Sequence, residues 1–140
     1  MRVALRKSVN PAVLRREQML AQRARAAALR RAYPDVGQLR IELTFKDLSD
    51  HTPSPQLHTL YPAAPAFFRF VCPCADCDGD FDLTAAVTNL LEAVPGRKRT
   101  AASVSGQMSC QGIRLRDRVG SKACSMELNY KLVSAPRSTE

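Results

Sequence analysis

The stretch CPCADCDGDFDL, Cys72 to Leu83, holds three cysteines and four aspartates within twelve residues. Two further cysteines, Cys110 and Cys124, lie at the two ends of the segment QGIRLRDRVGSKA. An odd number of cysteines leaves one unpaired in any disulfide framework, and the start MRVALRKSVN has no continuous apolar stretch typical of a secretory signal. Metal binding or buried thiols are therefore the two interpretations that the cysteines favour.

Strand phase indicates which cysteines converge, because alternate residues of a strand share one face. Cys72 ends one predicted strand, Cys110 ends a second and Cys124 begins a third, and each shares a face with apolar residues of its own strand. We therefore predict a structural zinc site formed by Cys72, Cys77, Cys110 and Cys124. The Cys74-x-x-Cys77 spacing is common in zinc sites, so Cys74 stays open as the alternative to Cys72. The apolar residues that share these faces are Phe68, Phe70, Met108, Met126, Leu128, Tyr130 and Leu132.

The cysteine pattern of residues 68–132 resembles zinc-ribbon-like domains, in which cysteine pairs at turns and hairpin ends hold one structural zinc ion. The resemblance implies such a metal site at one end of a sheet. The second pair departs from the family pattern, since thirteen residues separate Cys110 from Cys124. The stretches CPCADCDGDFDL, CQG and CSMELNYKL also resemble segments of small uncharacterised bacterial zinc-binding proteins, a resemblance that implies no activity.

Two other interpretations of the cysteine-rich stretch have less support. Free cysteines are often small core residues, which accounts for Cys110 and Cys124 better than for three cysteines in one turn. A calcium-binding EF-hand fails, because counting from Asp76 places Gly79 at position four rather than six. The acidic side chains are then expected to be solvated, with Asp82 or Thr84 capping the next helix.

Catalysis has little support in the sequence. Cys74-x-x-Cys77 before a helix is typical of thiol redox motifs, but the βαβ pattern that accompanies them is missing. His51 and His58 belong to no known hydrolytic signature. We predict a protein that is not an enzyme, with no catalytic residue and no small-molecule substrate.

The order of predicted elements indicates an α+β fold with an antiparallel sheet. Asn10-Pro11 suits a helix start, and Pro34 stops the helix after Tyr33. At 100° per residue, the expected apolar face of this helix consists of Val13, Leu20, Ala24, Ala27 and Ala28. Strands are predicted near 38–46, 56–61, 66–72, 102–110 and 124–133, and a second helix at 81–93. The predicted organisation is a basic helical arm (1–34), a single zinc-stabilised domain (35–134) and a disordered tail (135–140).

The net charge of +8 is concentrated at the N-terminus, where residues 1–31 hold nine basic residues and one acidic residue. A second basic cluster follows the predicted helix and continues into the segment between Cys110 and Cys124. If this segment is an extended hairpin, Arg114, Arg116 and Arg118 point the same way and form an exposed basic tip. Because affinity for a phosphate backbone is mainly electrostatic, nucleic acid is the predicted partner. The alternatives are an adaptor whose basic helix docks an acidic partner protein, and a merely solubilising surface. The predicted nucleic-acid-binding residues are Arg15, Arg16, Arg23, Arg30, Arg97, Lys98, Arg99, Arg114, Arg116 and Arg118.

The location of the protein follows from what the sequence lacks. No apolar run approaches eighteen residues, so no membrane span is predicted. The Arg-rich, acid-poor start has the composition of a transit peptide, but Pro11, Glu17 and the capped helix count against one. The prediction is a cytoplasmic protein.

Overall fold

The computed structural model describes residues 11–48, 53–74, 77–92, 102–116 and 120–137. The fold is α+β, as predicted. Its helices are α1 (Pro11–Arg25), α2 (Leu29–Ala32) and α3 (Thr84–Glu92). Its strands are β1 (Val36–Asp47), β2 (Pro53–Leu60), β3 (Arg69–Val71), β4 (Asp80–Asp82), β5 (Ala102–Ser109), β6 (Ile113–Arg116), β7 (Gly120–Ala123) and β8 (Met126–Pro136).

A four-stranded antiparallel sheet in the order β2-β1-β8-β5 forms the body of the protein. Every second residue of β1 from Leu39 to Phe45 is at most 1% exposed, which confirms the predicted alternation. On the neighbouring strand, Leu132 pairs with Ile41 and Leu128 pairs with Phe45. The sheet therefore has one apolar face towards the core and one polar face, as is common for antiparallel sheets.

The predicted strand at 66–72 does not join this sheet. Only Arg69–Val71 are extended, and they pair with Asp80–Asp82 in a separate two-stranded sheet. The chain turns back through the cysteine-rich loop, so its nearest partner is the segment just beyond that loop. The Phe45 and Phe81 rings, with centroids 5.5 Å apart, pack the small sheet against the large one.

The predicted helix from Asn10 to Tyr33 is interrupted after Arg25. Ala28 is extended, with φ −67° and ψ 151°, and it pairs with Pro65. The backbone N–H of Leu29 donates to the carbonyl of Ala64 at 2.7 Å, and that of Ala66 to the carbonyl of Ala27 at 2.8 Å. These bonds between distant segments replace the helical ones, and the Leu29 side chain lies in the core.

The face of α1 that packs against the body also differs from the prediction. The expected apolar face included Val13 and Leu20, yet these side chains are 45% and 65% exposed. Ala12 and Met19 are buried instead. Arg15 on the same side forms an ion pair with Asp80, so this face of the helix combines buried apolar residues with a charge pair.

Helix α3 and strand β8 complete the fold. Asp82 caps α3, because its carboxylate accepts the backbone N–H of Thr84 at 2.9 Å. Strand β8 continues to Pro136, two residues beyond the predicted domain boundary. Within the described residues, no helix has both the length and the apolar character needed to cross a membrane. His51 and residues 138–140 lie outside the described residues, as do Arg97, Lys98, Arg99 and Arg118.

Candidate metal centre

Four cysteines from three separate segments meet beside one end of the main sheet. Cys72 follows β3, Cys77 lies in the next loop, Cys110 follows β5 and Cys124 precedes β8. Their Sγ atoms all lie within 4.8 Å of one another. The Cys72–Cys124 and Cys77–Cys110 Sγ distances are 3.8 and 3.6 Å. A tetrahedral zinc site with Zn–S bonds of about 2.3 Å has S–S edges of about 3.8 Å, so the four sulfurs fit a metal ion.

Each of the four sulfurs accepts an N–H hydrogen bond from the protein. The backbone N–H of Gly79 donates to Cys77 at 3.2 Å, and that of Gly112 donates to Cys110 at 3.3 Å. The N–H of Cys74 bonds to Cys72 in the same two-residue spacing. The fourth donor is the Nε of Arg114, 3.3 Å from the Cys124 sulfur. Such donors stabilise thiolates, the form of cysteine that binds a metal.

The two Cys-x-Gly turns, Cys77–Gly79 and Cys110–Gly112, lie back to back. A Cβ atom on Gly112 would be 2.5 Å from both the Cα and the N of Gly79. One on Gly79 would be 2.5 Å from the Cys110 sulfur. The turns are also tied by Asp78, whose carboxylate accepts the N–H of Ile113 at 2.8 Å. Glycine is therefore required at both positions for the sulfurs to approach one another.

Cys74 contributes to the site through its backbone rather than as one of the four clustered thiols. Its carbonyl accepts the N–H of Cys77 at 3.2 Å and the Nη2 of Arg16 at 3.1 Å. Together with its N–H bond to Cys72, these contacts shape the loop that brings Cys72 and Cys77 together. The predicted preference for Cys72 over Cys74 agrees with this geometry.

Arg114 is a buried part of the site, which corrects the prediction that it belongs to an exposed basic hairpin tip. Its residue surface is only 5% exposed, and its Nη2 lies 2.9 Å from Oδ2 of Asp47. Asp47 also accepts the Ser125 hydroxyl at 2.7 Å. Burial opposes the charge of Arg114, but the hydrogen bonds to Cys124 and Asp47 outweigh it and raise the pKa of the guanidinium. A permanent positive charge thus lies beside the sulfur cluster.

The thiols influence one another strongly. Hydrogen bonds from the Cys72 thiol and from the Gly112 N–H lower the pKa of Cys110 to about 5, against the opposing effect of burial. Burial raises the pKa of Cys77 to about 12, and the hydrogen bond to Cys110 raises that of Cys72 further. One cysteine of the cluster is therefore readily deprotonated. Four thiolates this close together repel one another, so a cation is required to offset their repulsion.

The predicted polyanion-binding residues are not gathered in one place. Arg15 and Arg16 are half-buried against the cysteine-rich loop, whereas Arg23 and Arg30 are exposed. Arg114 is buried beside Cys124, and the Arg116 side chain lies outside the described residues.

Sequence reasoning missed several residues that shape the site. Asp78 and Asp80 were expected to be solvated, yet Asp78 ties the two turns and Asp80 pairs with both Arg15 and Arg69. The repeated Cys-x-Gly spacing is visible in the sequence and could have identified Gly79 and Gly112. No comparable signal marked Asp47, because its partner Arg114 is 67 residues away along the chain.

The resemblance to zinc-ribbon-like domains is supported only by the pattern and the geometry of the cysteines. Comparison with known proteins finds no matching family model, and no significant match among curated proteins or solved structures.

Proposed function

We propose that the protein binds one zinc ion through Cys72, Cys77, Cys110 and Cys124, and that this ion has a structural role. The observation that carries the proposal is the approach of four sulfurs to within 4.8 Å, each with its own N–H donor. Four thiolates and Zn²⁺ sum to a charge of about −2, which Arg114 partly offsets. Four protein ligands leave no open coordination position, so a catalytic role is not proposed.

Metal content tests this proposal directly. Native mass spectrometry of the full chain should show one zinc ion, and optical spectra should lack the visible bands of an iron–thiolate centre, the other common ion in a four-sulfur site. Cys72→Ser should lose the ion, whereas the matched control Cys74→Ser should keep it. Full occupancy in Cys72→Ser would contradict the proposed ligand set, and bound iron would contradict the metal.

A second proposal concerns the basic surface of α1 and α2, which we infer to bind nucleic acid. In support, Arg23, Arg25, Arg30 and Arg31 are exposed, in contrast to Arg15 and Arg16, which contact the body. Within the described residues, Arg23 and Arg30 form no ion pair, so their charge is available to a partner. The arginine fork suits phosphate oxygens.

Salt titration separates nucleic acid from an acidic protein partner. The affinity of the zinc-loaded protein for a labelled oligonucleotide should fall steeply with salt. In Arg23→Glu/Arg30→Glu, the slope of log K against log salt should decrease by about 0.7–0.9 for each phosphate that the variant no longer neutralises. The matched control is Lys46→Glu/Lys131→Glu, which makes the same charge change on the exposed face of the sheet. Failure of the native protein to bind at low salt would favour the adaptor alternative.

A further inference from the structure

A cleft of about 330 Å³ lies between α1, strand β2 and the segment around β3. Aromatic rings form part of its walls: Phe67, Phe70 and His58. Its rim carries three guanidinium groups, those of Arg16, Arg23 and Arg69, and none of its lining residues is acidic. The cleft therefore combines apolar walls with a positive rim, and its volume is at the lower end of the range for small-ligand sites.

The aromatic walls offer one ring for stacking. The His58 and Phe70 rings contact each other with centroids 4.8 Å apart. Phe67 is half-buried, and within the described residues it makes no contact with another aromatic ring. Burial and the nearby charge of Arg23 lower the pKa of His58, which favours the neutral form of its imidazole. A planar ligand group in the cleft can therefore lie against the ring of Phe67.

Two of the three guanidinium groups are held by other parts of the protein, whereas the third is exposed. Arg69 is held by Asp80, with Nη2–Oδ2 at 2.7 Å, and by Gln22 at 3.2 Å. Arg16 is anchored to the carbonyl of Cys74. Arg23 is exposed and has no acidic partner within the described residues, so it is the guanidinium best able to contact an anion.

We propose that this cleft binds one nucleotide of a single-stranded nucleic acid, with its base against Phe67 and its phosphate at Arg16 and Arg23. The proposal rests on the nucleic-acid function proposed above and gives that function a preferred substrate. A nucleotide joins a planar ring to an anion, which is the combination the cleft presents. Bases in a duplex are already stacked on their neighbours and cannot enter, so the cleft should distinguish single strands from duplexes.

Binding of fluorescein-labelled twelve-nucleotide oligothymidylate by the full zinc-loaded chain tests the proposal, with a duplex of equal length as comparison. The single strand should bind more tightly than the duplex. Phe67→Leu, which keeps apolar volume but removes the ring, should lower single-strand affinity by about 5- to 100-fold. The control Tyr61→Leu removes an exposed aromatic ring that does not line the cleft and should leave affinity unchanged.

The possible outcomes separate this proposal from the one on which it rests. If Phe67→Leu binds the single strand as tightly as the native protein does, while Arg23→Glu/Arg30→Glu still weakens binding, the cleft proposal is wrong and the nucleic-acid proposal stands. Absence of binding by the native protein would overturn both. If thymidine 5′-monophosphate displaces the labelled strand with an affinity equal to that of the strand, the ligand is a free nucleotide and the single-strand proposal is wrong. Zinc content and far-ultraviolet circular dichroism establish that each variant is folded.

Discussion

Gly79 and Gly112 allow the two cysteine turns to touch, and their substitution gives the sharpest test of the site. In Gly112→Ala, the new Cβ would meet backbone atoms of Gly79 at 2.5 Å, so the turns must separate. We expect loss of bound zinc and a lower unfolding temperature, measured by native mass spectrometry and thermal melting. Gly106→Ala is the control for zinc content, because the nearest atoms to its Cβ belong to the Tyr130 side chain and not to the cysteine turns. Full zinc occupancy in Gly112→Ala would show that the close packing of the turns is dispensable.

Arg114 donates a hydrogen bond to Cys124 and would offset part of the negative charge of the proposed metal–thiolate centre. Lysine keeps the charge but cannot donate to Cys124 and Asp47 through one rigid fork. Arg114→Lys should therefore lower zinc affinity by about 10- to 100-fold, the usual cost of removing a residue that orients a metal ligand. Competition with a zinc chelator measures this change. Arg40→Lys, at an exposed pair with Glu42, should have no effect, and an equal effect of the two variants would rule out a specific role for Arg114.

At the residue scale, the sequence was informative where strand alternation applied. It favoured Cys72 over Cys74, because Phe68, Phe70 and Cys72 share one face of the predicted strand. The sequence did not predict the burial of Arg114, which was expected on an exposed face of the hairpin. Its partners Asp47 and Cys124 come from other elements, and only the fold brings them together.

Helix α1 is attached to the body through charge, and its attachment can be tested separately from the metal. Asp80 pairs with Arg15 and Arg69, and its side chain is only 17% exposed. Removing a hydrogen bond to a charged group costs about 1.5–3 kcal/mol, so Arg15→Ala should increase amide exchange in α1 by about ten-fold or more. Zinc content should not change. Arg25→Ala, in the last turn of the helix, is the control, and equal protection of α1 in both variants would contradict the anchoring role.

At the element scale, the strands of the main sheet were predictable because local alternation and burial agree. The residue at which α1 ends and the face of α1 that is buried were not predictable in this way. The helix does not continue through Ala27 and Ala28, because the backbone of residues 27–29 pairs with residues 64–66 instead. The buried face was misassigned because the alanine-rich helix has little apolar preference and its orientation depends on Asp80, a distant residue.

At the scale of the whole molecule, the proposed metal joins three segments that are far apart along the chain. Cys72, Cys77 and Cys110 belong to the same buried cluster as the core of the main sheet. Structural zinc contributes an apparent 10–16 kcal/mol in small domains, whereas a typical domain is stable by only about 5–15 kcal/mol. We therefore expect chelation to unfold residues 69–92 and 110–124 and to lower the melting temperature of the remainder. Hydrogen exchange measures both effects, and unchanged protection after chelation would contradict a structural role for the metal.

The loop that carries Cys72, Cys74 and Cys77 has a consequence for the order of folding events. These three thiols lie within six residues, so an unfolded chain can capture zinc with them before β5 and β8 have paired. The native site then requires Cys74 to be exchanged for thiols more than thirty residues away. Refolding in the presence of zinc should therefore show a slow ligand-exchange phase, and Cys74→Ser should abolish it. The one thiol of this loop that is missing from the native site would thus act as a kinetic trap during assembly.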